Sequence, residues 1–260
     1  MKNIKIIIAT HKDYDMPKDK MYLPLQVGAS INEKIGFRRD DSYKDNISDK
    51  NPSFCELTGL YYAWKHIRAD YIGLVQYRRH FKSNKKNDKN KMNNVITYEE
   101  VNKLLKDVDI ILPKKRKYYI ETMYSHYKHT MYVEPLDIVG AIIKNRQPKY
   151  YDEFQKLKKR RSAHMFNMFI MKKEILNDYC KWLFDILFEL ETRCSNLKYN
   201  SFHSRFYGRI SELLLDVWIN TNGYNYKEVK VLNIEKTNWI KKGFSFLIAK
   251  FLGRKYEKSF

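Results

Sequence analysis

Cysteine is scarce in this sequence. Its three copies, Cys55, Cys180 and Cys194, form neither a metal-ligand spacing nor an even set that could pair as disulfides. A small secreted domain stabilised by disulfides is therefore excluded, and the simpler interpretation is that the protein resides in a reducing compartment. The apolar run at residues 4–10 is too short for a signal peptide, and no run approaches the roughly 18 apolar residues that a membrane span needs. We expect a cytoplasmic protein that does not cross the membrane.

The sequence also lacks the signature motifs of several enzyme classes. It contains no P-loop, no G-x-G-x-x-G, no H-E-x-x-H and no G-x-S-x-G nucleophile elbow. An Asp-x-Asp pattern occurs at Asp107-Val108-Asp109, but it precedes a predicted strand, which is the wrong edge of a sheet for a metal–diphosphate site. We therefore predict no resident metal and no cofactor, while a requirement for a divalent ion such as Mn²⁺ or Mg²⁺ stays open.

Negative charge is in short supply, since 30 acidic residues face 50 lysines and arginines and leave a formal net charge of +20. Such an excess suits nucleic acid, an anionic membrane surface or a phosphorylated small molecule. No helix-turn-helix, RRM or zinc-finger signature supports nucleic acid as the partner. The positive charge is spread along the chain, and the lysine enrichment typical of AT-rich genomes is an alternative that requires no partner.

Apolar strands alternate with amphipathic helices along the chain. Strands are predicted at residues 4–10, 71–77, 108–112 and 164–171, and helices at 54–68, 98–106, 135–161, 178–193 and 206–220. Ser53 and Glu56 match a capping box at the first helix. The order indicates an α/β fold with a mainly parallel sheet, in which ligands bind beyond the carboxyl ends of the strands. We assign residues 1–236 to this domain.

The remaining residues, 237–260, form a basic segment whose apolar side chains share one helical face. Such segments lie in membrane interfaces, although a C-terminal helix can also pack on its own domain. We predict contact between this segment and an anionic membrane surface. The protein would then be peripheral to the inner face of the cell membrane.

Polar residues accompany two of the predicted strands. Tyr77, Arg78 and Arg79 end the second strand, and a guanidinium is a planar, permanently charged fork that matches phosphate oxygens. A solvated or salt-bridged arginine pair is the alternative. In the fourth strand, Asn167 must find hydrogen-bond partners among apolar neighbours, and a sugar hydroxyl or the neighbouring backbone would supply them. His164, at the start of that strand, is less informative.

Four charged residues share one face of the last predicted helix: Arg205, Arg209, Glu212 and Asp216. Their spacing of i, i+4, i+7 and i+11 follows the helical repeat. Glu212 could act as a general base that removes a proton from an acceptor hydroxyl, with Asp216 as the second choice. A surface ladder of ion pairs would have the same spacing.

A basic, aromatic stretch at 114–132 contains Tyr124, His126 and His129. Two histidines three residues apart could bind zinc, but no third ligand has a convincing spacing. Stacking of a sugar on the tyrosines, or binding of phosphate by the basic groups, is favoured. We assign these three residues to acceptor binding.

Four segments together resemble one bacterial family: residues 9–12, 46–65, 71–81 and 161–169. The second and third segments are long and specific, and the resemblance runs from Ile4 to about Trp239. The family has long been filed as a domain of unknown function. Its members stand among capsule, exopolysaccharide and lipopolysaccharide biosynthesis enzymes, and some are described as galactofuranosyltransferases. The family pattern has histidine before Tyr-Arg-Arg, whereas this chain has Gln76, which retains hydrogen bonding but not acid/base chemistry.

The resemblance implies a GT-A-like glycosyltransferase whose first strand ends at the nucleotide. The implied donor-binding residues are Thr10, His11, Tyr14, Tyr77, Arg78, Arg79, His164 and Asn167. A sugar would pass from a UDP-sugar to a hydroxyl of a lipid-linked saccharide. Arg78 and Arg79 would replace the metal ion that relatives of this fold set against the diphosphate. The alternatives are a non-catalytic membrane-surface scaffold of a polysaccharide assembly and, less favoured, a basic nucleic-acid-binding protein.

Overall fold

The structure is a computed structural model that describes residues 1–85 and 87–235. The predicted C-terminal segment at 237–260 lies outside these residues. The described part consists of a mixed sheet with helices packed on both faces. Within it, no helix combines the length and the apolar character that a membrane span requires.

The described strands form one large sheet and one short ribbon. The strands are β1 Ile4–Thr10, β2 Tyr22–Gln26, β3 Arg38–Arg39, β4 Tyr71–Gln76, β5 Arg79–Phe81, β6 Ile110–Pro113, β7 Arg116–Lys117, β8 Ser162–Ala163, β9 Phe169–Lys172, β10 Tyr226–Val229 and β11 Val231–Asn233. The sheet has the order β10-β6-β9-β4-β1-β2-β3, with β5 pairing β4 and β11, while β7 and β8 form the ribbon. Along this order, neighbours run parallel except at β9, which is antiparallel to β4 and β6. The predicted mainly parallel sheet is confirmed.

The sheet is flanked by helices. They are α1 Asn51–Phe54, α2 Leu57–His66, α3 Tyr98–Leu104, α4 Met123–Thr130, α5 Glu134–Arg146, α6 Tyr151–Lys159, α7 Lys173–Arg193 and α8 Phe206–Asn222. The predictions at 98–106, 178–193 and 206–220 correspond to α3, α7 and α8. The single helix predicted at 135–161 is wrong. It is divided into α5 and α6, with Pro148 between them, because proline has no backbone N–H to continue a helix.

The helix predicted at 54–68 is also interrupted. Cys55 has φ 54° and ψ −131°, so α1 ends at Phe54 and α2 begins at Leu57. The predicted capping box is absent, because Ser53 lies inside α1 and donates to the carbonyl of Lys50. Glu56 therefore stands at the N-terminus of α2, where its side chain bonds to Gln76 and Asn167.

The fourth predicted strand begins later than expected. Phe166 and Asn167 have φ values of 80° and 52°, and this left-handed backbone cannot continue a strand. β9 therefore starts at Phe169, and Asn167 lies in the turn before it rather than within the strand. Asparagine tolerates this conformation better than most residues, which agrees with its place in the turn.

β1 is apolar at nearly every position because both of its faces are covered. Ile7 and Ala9 pack in the cluster that contains α2, α7 and α8, whereas Ile6 and Ile8 pack in the cluster on the opposite face. Side chains alternate along a strand, so a strand covered on both faces needs apolar residues at nearly every position. Ala9 pairs with Gln76 of β4, which brings the loops after both strands side by side.

Candidate functional site

A cavity of about 370 Å³ opens at the carboxyl ends of β1 and β4. We call it the central cavity. The loops after both strands, the junction of α1 and α2, and the first turns of α8 form its walls. The histidine and the charged residues of its lining are His11, Glu56, Arg78, Arg79, Arg205, Arg209 and Glu212. The position agrees with the rule that ligands bind at the carboxyl edge of such sheets.

Four arginines reach the central cavity from two parts of the chain. Arg79 lies with its guanidinium 4.7 Å above the ring of Phe166 and donates a hydrogen bond to Gln76. Burial lowers the pKa of Arg79, and the charge of Arg78 lowers it further. From the side of α8, Arg205 and Arg209 complete the set. Since guanidinium groups repel one another, their convergence favours an anionic ligand.

Glu212 is the buried carboxylate of the central cavity, with only 5% of its surface exposed. Its carboxylate lies 3.8 Å from Arg209 and accepts the backbone N–H of Phe166. Burial raises the pKa of Glu212, Arg209 opposes this effect, and the nearby charge of Glu56 adds to it. A carboxylate with a raised pKa beside a cavity is suited to accept a proton.

Glu56 is a second carboxylate in the cavity, and the sequence prediction missed this role. Its Oε1 accepts hydrogen bonds from Nε2 of Gln76 at 3.1 Å and from Nδ2 of Asn167 at 2.8 Å. Gln76 in turn accepts from Arg79, so one network joins an arginine to a carboxylate. Gln76 thus makes its hydrogen bonds to protein groups of the cavity wall. Because Glu56 stands three residues after Ser53, the sequence predicted a helix-capping role for it instead.

Asn167 links the turn before β9 to α8. Its Nδ2 also donates to the carbonyl of Gly208 at 3.1 Å, and its Oδ1 accepts from Ser211 at 2.8 Å. The hydrogen-bond partners of Asn167 are thus the side chains of Glu56 and Ser211 and the distant backbone of Gly208, rather than the neighbouring backbone considered from the sequence. Asn167 is buried and holds the position of Glu56 beside Glu212 rather than projecting into the cavity.

The loop after β1 contributes one cavity residue and several supports. His11 lines the cavity, and its pKa is lowered by burial and then by the charges of Lys12, Arg78 and Arg205. The ring of Tyr77 also lines the cavity and meets His11 edge to face at 5.4 Å. Tyr14 contacts the same ring at 5.1 Å. Thr10 is buried, and its hydroxyl donates to the carbonyl of Lys12 at 2.6 Å, which fixes the turn.

Asp216 and His164 form a buried pair outside the central cavity. Asp216 accepts the backbone N–H of His164 at 3.2 Å and contacts the ring Nδ1, while Nε2 contacts Glu228 at 2.9 Å. These hydrogen bonds link α8 to the segment before β9. The surface ladder of ion pairs that the helix spacing also allowed is wrong, because Glu212 and Asp216 are both buried.

The two predicted acceptor histidines meet at one buried carboxylate. Glu121 contacts Nδ1 of His126 at 2.9 Å and Nδ1 of His129. Burial lowers the pKa of His126 to about 4. Tyr124 stands apart, because its hydroxyl donates to Asp137 at 3.1 Å. Among the described residues, no group of three or more histidine, cysteine, aspartate or glutamate side chains is arranged to hold a metal ion.

The fold is similar to that of a solved protein, the bifunctional glycosyltransferase WbbM in its apo structure. The TM-score is 0.82 and the sequence identity 30%, and the match covers 90% of this chain and 46% of that one. The chain therefore spans about half the length of the structure it matches. The fold and the position of the central cavity define a GT-A-like α/β protein, as the sequence predicted.

Residues 5–223 match the profile of a domain of unknown function, DUF4422, and the chain belongs to this family. The match covers most of the described residues and includes every residue that we place in the central cavity. No curated protein matches the sequence. The predicted membership of a family of unknown function is thereby confirmed.

Proposed function

We propose that this chain is a glycosyltransferase that moves a sugar from a UDP-sugar to a hydroxyl of a lipid-linked saccharide in bacterial surface polysaccharide synthesis. The observation that carries the proposal is the convergence of four arginines and two glutamates in one cavity at the carboxyl edge of the sheet. The similarity of the fold to the bifunctional glycosyltransferase WbbM supports the reaction class. Galactofuranose is the first donor sugar to assay, because the family resemblance suggests it.

The arginines supply the positive charge that the leaving diphosphate requires. In the proposed reaction, the bond between the anomeric carbon and the diphosphate oxygen breaks, and UDP leaves with its electron pair. Negative charge then grows on the diphosphate, and preorganised guanidinium groups stabilise it. Arg78 lies in the tight connection after β4 and Arg79 begins β5, and we assign them the place that a divalent metal would occupy.

Glu212 supplies the base. As the acceptor hydroxyl oxygen bonds to the anomeric carbon, its proton passes to the Glu212 carboxylate. A positioned carboxylate with a raised pKa suits this step better than an exposed one, because it holds the proton more tightly. Asp216, the second candidate from the sequence, is engaged with His164 away from the cavity, and we assign it a positioning role.

Calorimetric titration with UDP tests the donor site. We expect micromolar binding that survives excess EDTA and is lost in Arg78→Ala or Arg79→Ala. Arg146→Ala is the matched control, because Arg146 lies on α5 and pairs with Asp185 and Glu189 away from the cavity. Circular dichroism would confirm that each variant is folded.

Three results would change the proposal. Binding that requires manganese would retain the glycosyltransferase and discard the metal-free diphosphate site. Equal loss of binding in Arg146→Ala would mean that general charge, rather than the cavity, attracts UDP. No binding of UDP or another nucleotide under any condition would favour the non-catalytic scaffold.

A further inference from the structure

The short ribbon of β7 and β8 carries an exposed apolar turn. The backbone N–H of Glu121 bonds to the carbonyl of Tyr118 at 2.9 Å and closes a tight turn. The two central residues, Tyr119 and Ile120, are 79% and 60% exposed. Such positions usually hold glycine, asparagine, aspartate or proline. We call Tyr119 and Ile120 the apolar tip, and the turn itself has no need for two large apolar side chains.

The apolar tip is held in place from both sides. Tyr118 is buried and packs 4.1 Å from the ring of His126. Glu121 is buried, and its carboxylate contacts the ring nitrogens of His126 and His129. Arg161 makes two hydrogen bonds with the turn. Its carbonyl accepts the backbone N–H of Tyr118 at 2.7 Å, and its guanidinium donates to the carbonyl of Tyr119 at 3.3 Å. The turn that carries the apolar tip is thus anchored to the rest of the protein by the contacts of Tyr118, Glu121 and Arg161.

Positive charge surrounds the apolar tip. Residues 110–133 contain five lysines and arginines and a single acidic residue, Glu121, which is buried. Lys117 directly precedes the turn, Arg161 donates to the carbonyl of Tyr119, and both side chains are exposed, as is Lys114 on the segment before β7. The combination of a small apolar protrusion and exposed cations matches the interface of an anionic bilayer, where apolar side chains enter the headgroup region and basic ones meet lipid phosphates.

We propose that the apolar tip inserts into the interface of an anionic membrane, with Lys114, Lys117 and Arg161 contacting the lipid headgroups. A protein partner fits less well, because specific protein complexes bury about 800 Å² on each side, more than two side chains can offer. The proposal adds a membrane contact within the described residues, separate from the predicted C-terminal segment.

Tyr118, at the base of the turn, is within electrostatic range of Glu212 and Arg209 of the central cavity. A membrane-bound tip would therefore hold the cavity near the bilayer, where a lipid-linked acceptor resides. This consequence rests on the proposed function, whereas the membrane contact itself can be measured without any substrate.

Vesicle flotation of the full chain tests the contact. The vesicles contain phosphatidylcholine with or without phosphatidylglycerol. We expect Tyr119→Ser with Ile120→Ser to weaken binding to the anionic vesicles by about tenfold or more, because two apolar side chains no longer leave water. Ile31→Ser with Tyr43→Ser is the matched control, since these residues are 53% and 51% exposed elsewhere, and it should bind as the parent does. Equal binding by the tip variant and the parent would overturn the proposal.

A local probe separates the tip from any other membrane-binding segment. Tyr119→Trp should be quenched by brominated phospholipids beyond the background of the parent protein, whereas Tyr43→Trp should not. Absence of excess quenching at position 119 would overturn the proposal even if the protein binds vesicles. A change in sedimentation of the tip variant with unchanged vesicle binding would instead assign the tip to a protein contact.

The outcomes also separate this proposal from the proposed function. Tip-dependent vesicle binding in a protein that binds no UDP would leave the membrane contact standing and remove the enzyme assignment. UDP binding that depends on Arg79, in a protein whose tip does not affect vesicle binding, would do the reverse.

Discussion

Replacing Glu212 with glutamine tests the proposed base with the smallest structural change. The side chain keeps its size and can still accept the backbone N–H of Phe166, but it can no longer take a proton from an acceptor hydroxyl. Positioned general bases typically contribute about 10²–10⁴ in rate, so turnover should fall by about that factor, or about 2.7–5.4 kcal/mol of activation free energy. UDP affinity should be retained, because the arginines are unchanged.

The raised pKa of Glu212 gives this prediction a direction in pH. A base works only when deprotonated, so wild-type turnover should fall as the pH drops through the raised pKa, above the ordinary value of 4.5. For stability, the folded protein holds this proton more tightly than the unfolded chain does. The free energy of unfolding therefore decreases as the pH rises from the unfolded pKa through the folded pKa. Glutamine does not ionise, so Glu212→Gln should be at least as stable as the wild type at neutral pH.

The assay combines steady-state release of UDP with thermal melting across pH. Glu189→Gln is the matched control, because Glu189 is an α7 glutamate paired with Arg193 away from the cavity. It should turn over normally. Near-normal turnover in a well-folded Glu212→Gln would refute the assignment. A larger loss in Glu56→Gln than in Glu212→Gln would transfer the role of base to Glu56.

Two further predictions concern the supports of the site. Asn167→Ala removes the links to Glu56, Gly208 and Ser211 and should lower the free energy of unfolding by about 2–4 kcal/mol in urea denaturation; an unchanged midpoint would contradict this role. Asp216→Ala leaves His164 without its buried partner and should cost about 3 kcal/mol of stability, while the folded fraction retains its UDP affinity in calorimetry. Loss of UDP binding by folded Asp216→Ala would show that Asp216 acts at the site itself.

The sequence predicted the sheet better than it predicted the site. The apolar runs at 4–10 and 71–77 identify β1 and β4, because a strand buried on both faces has little freedom of composition. Their carboxyl ends then locate the cavity. The same strand end predicts that Arg78 and Arg79 lie at this edge of the sheet, but β5, which begins at Arg79 and pairs with the distant β11, was not predicted.

The breaks in regular structure could not be predicted in this way. Cys55, Phe166 and Asn167 adopt positive φ without being glycine, and neighbouring residues do not encode this conformation. Each break places a polar group where it contributes to the central cavity. The break at Cys55 turns Glu56 from a helix cap into a cavity carboxylate, and the turn at Phe166 brings a backbone N–H to Glu212. Strained backbone commonly clusters at functional sites, where tertiary contacts compensate for its cost.

The charge balance of the central cavity provides the strongest physical argument for an anionic substrate. Four arginines against two glutamates leave an excess of two positive charges, and protonation of Glu212 would increase the excess. Glu235 lies 4.0 Å from Arg78 at the rim, and the four arginines are half-buried or partly exposed, so their mutual repulsion is only partly offset within the protein. A diphosphate would neutralise this excess on entry. In the proposed reaction, donor binding would organise the same arginines that stabilise the leaving diphosphate, and Glu56 and Glu212 would stay available to the sugar and the acceptor.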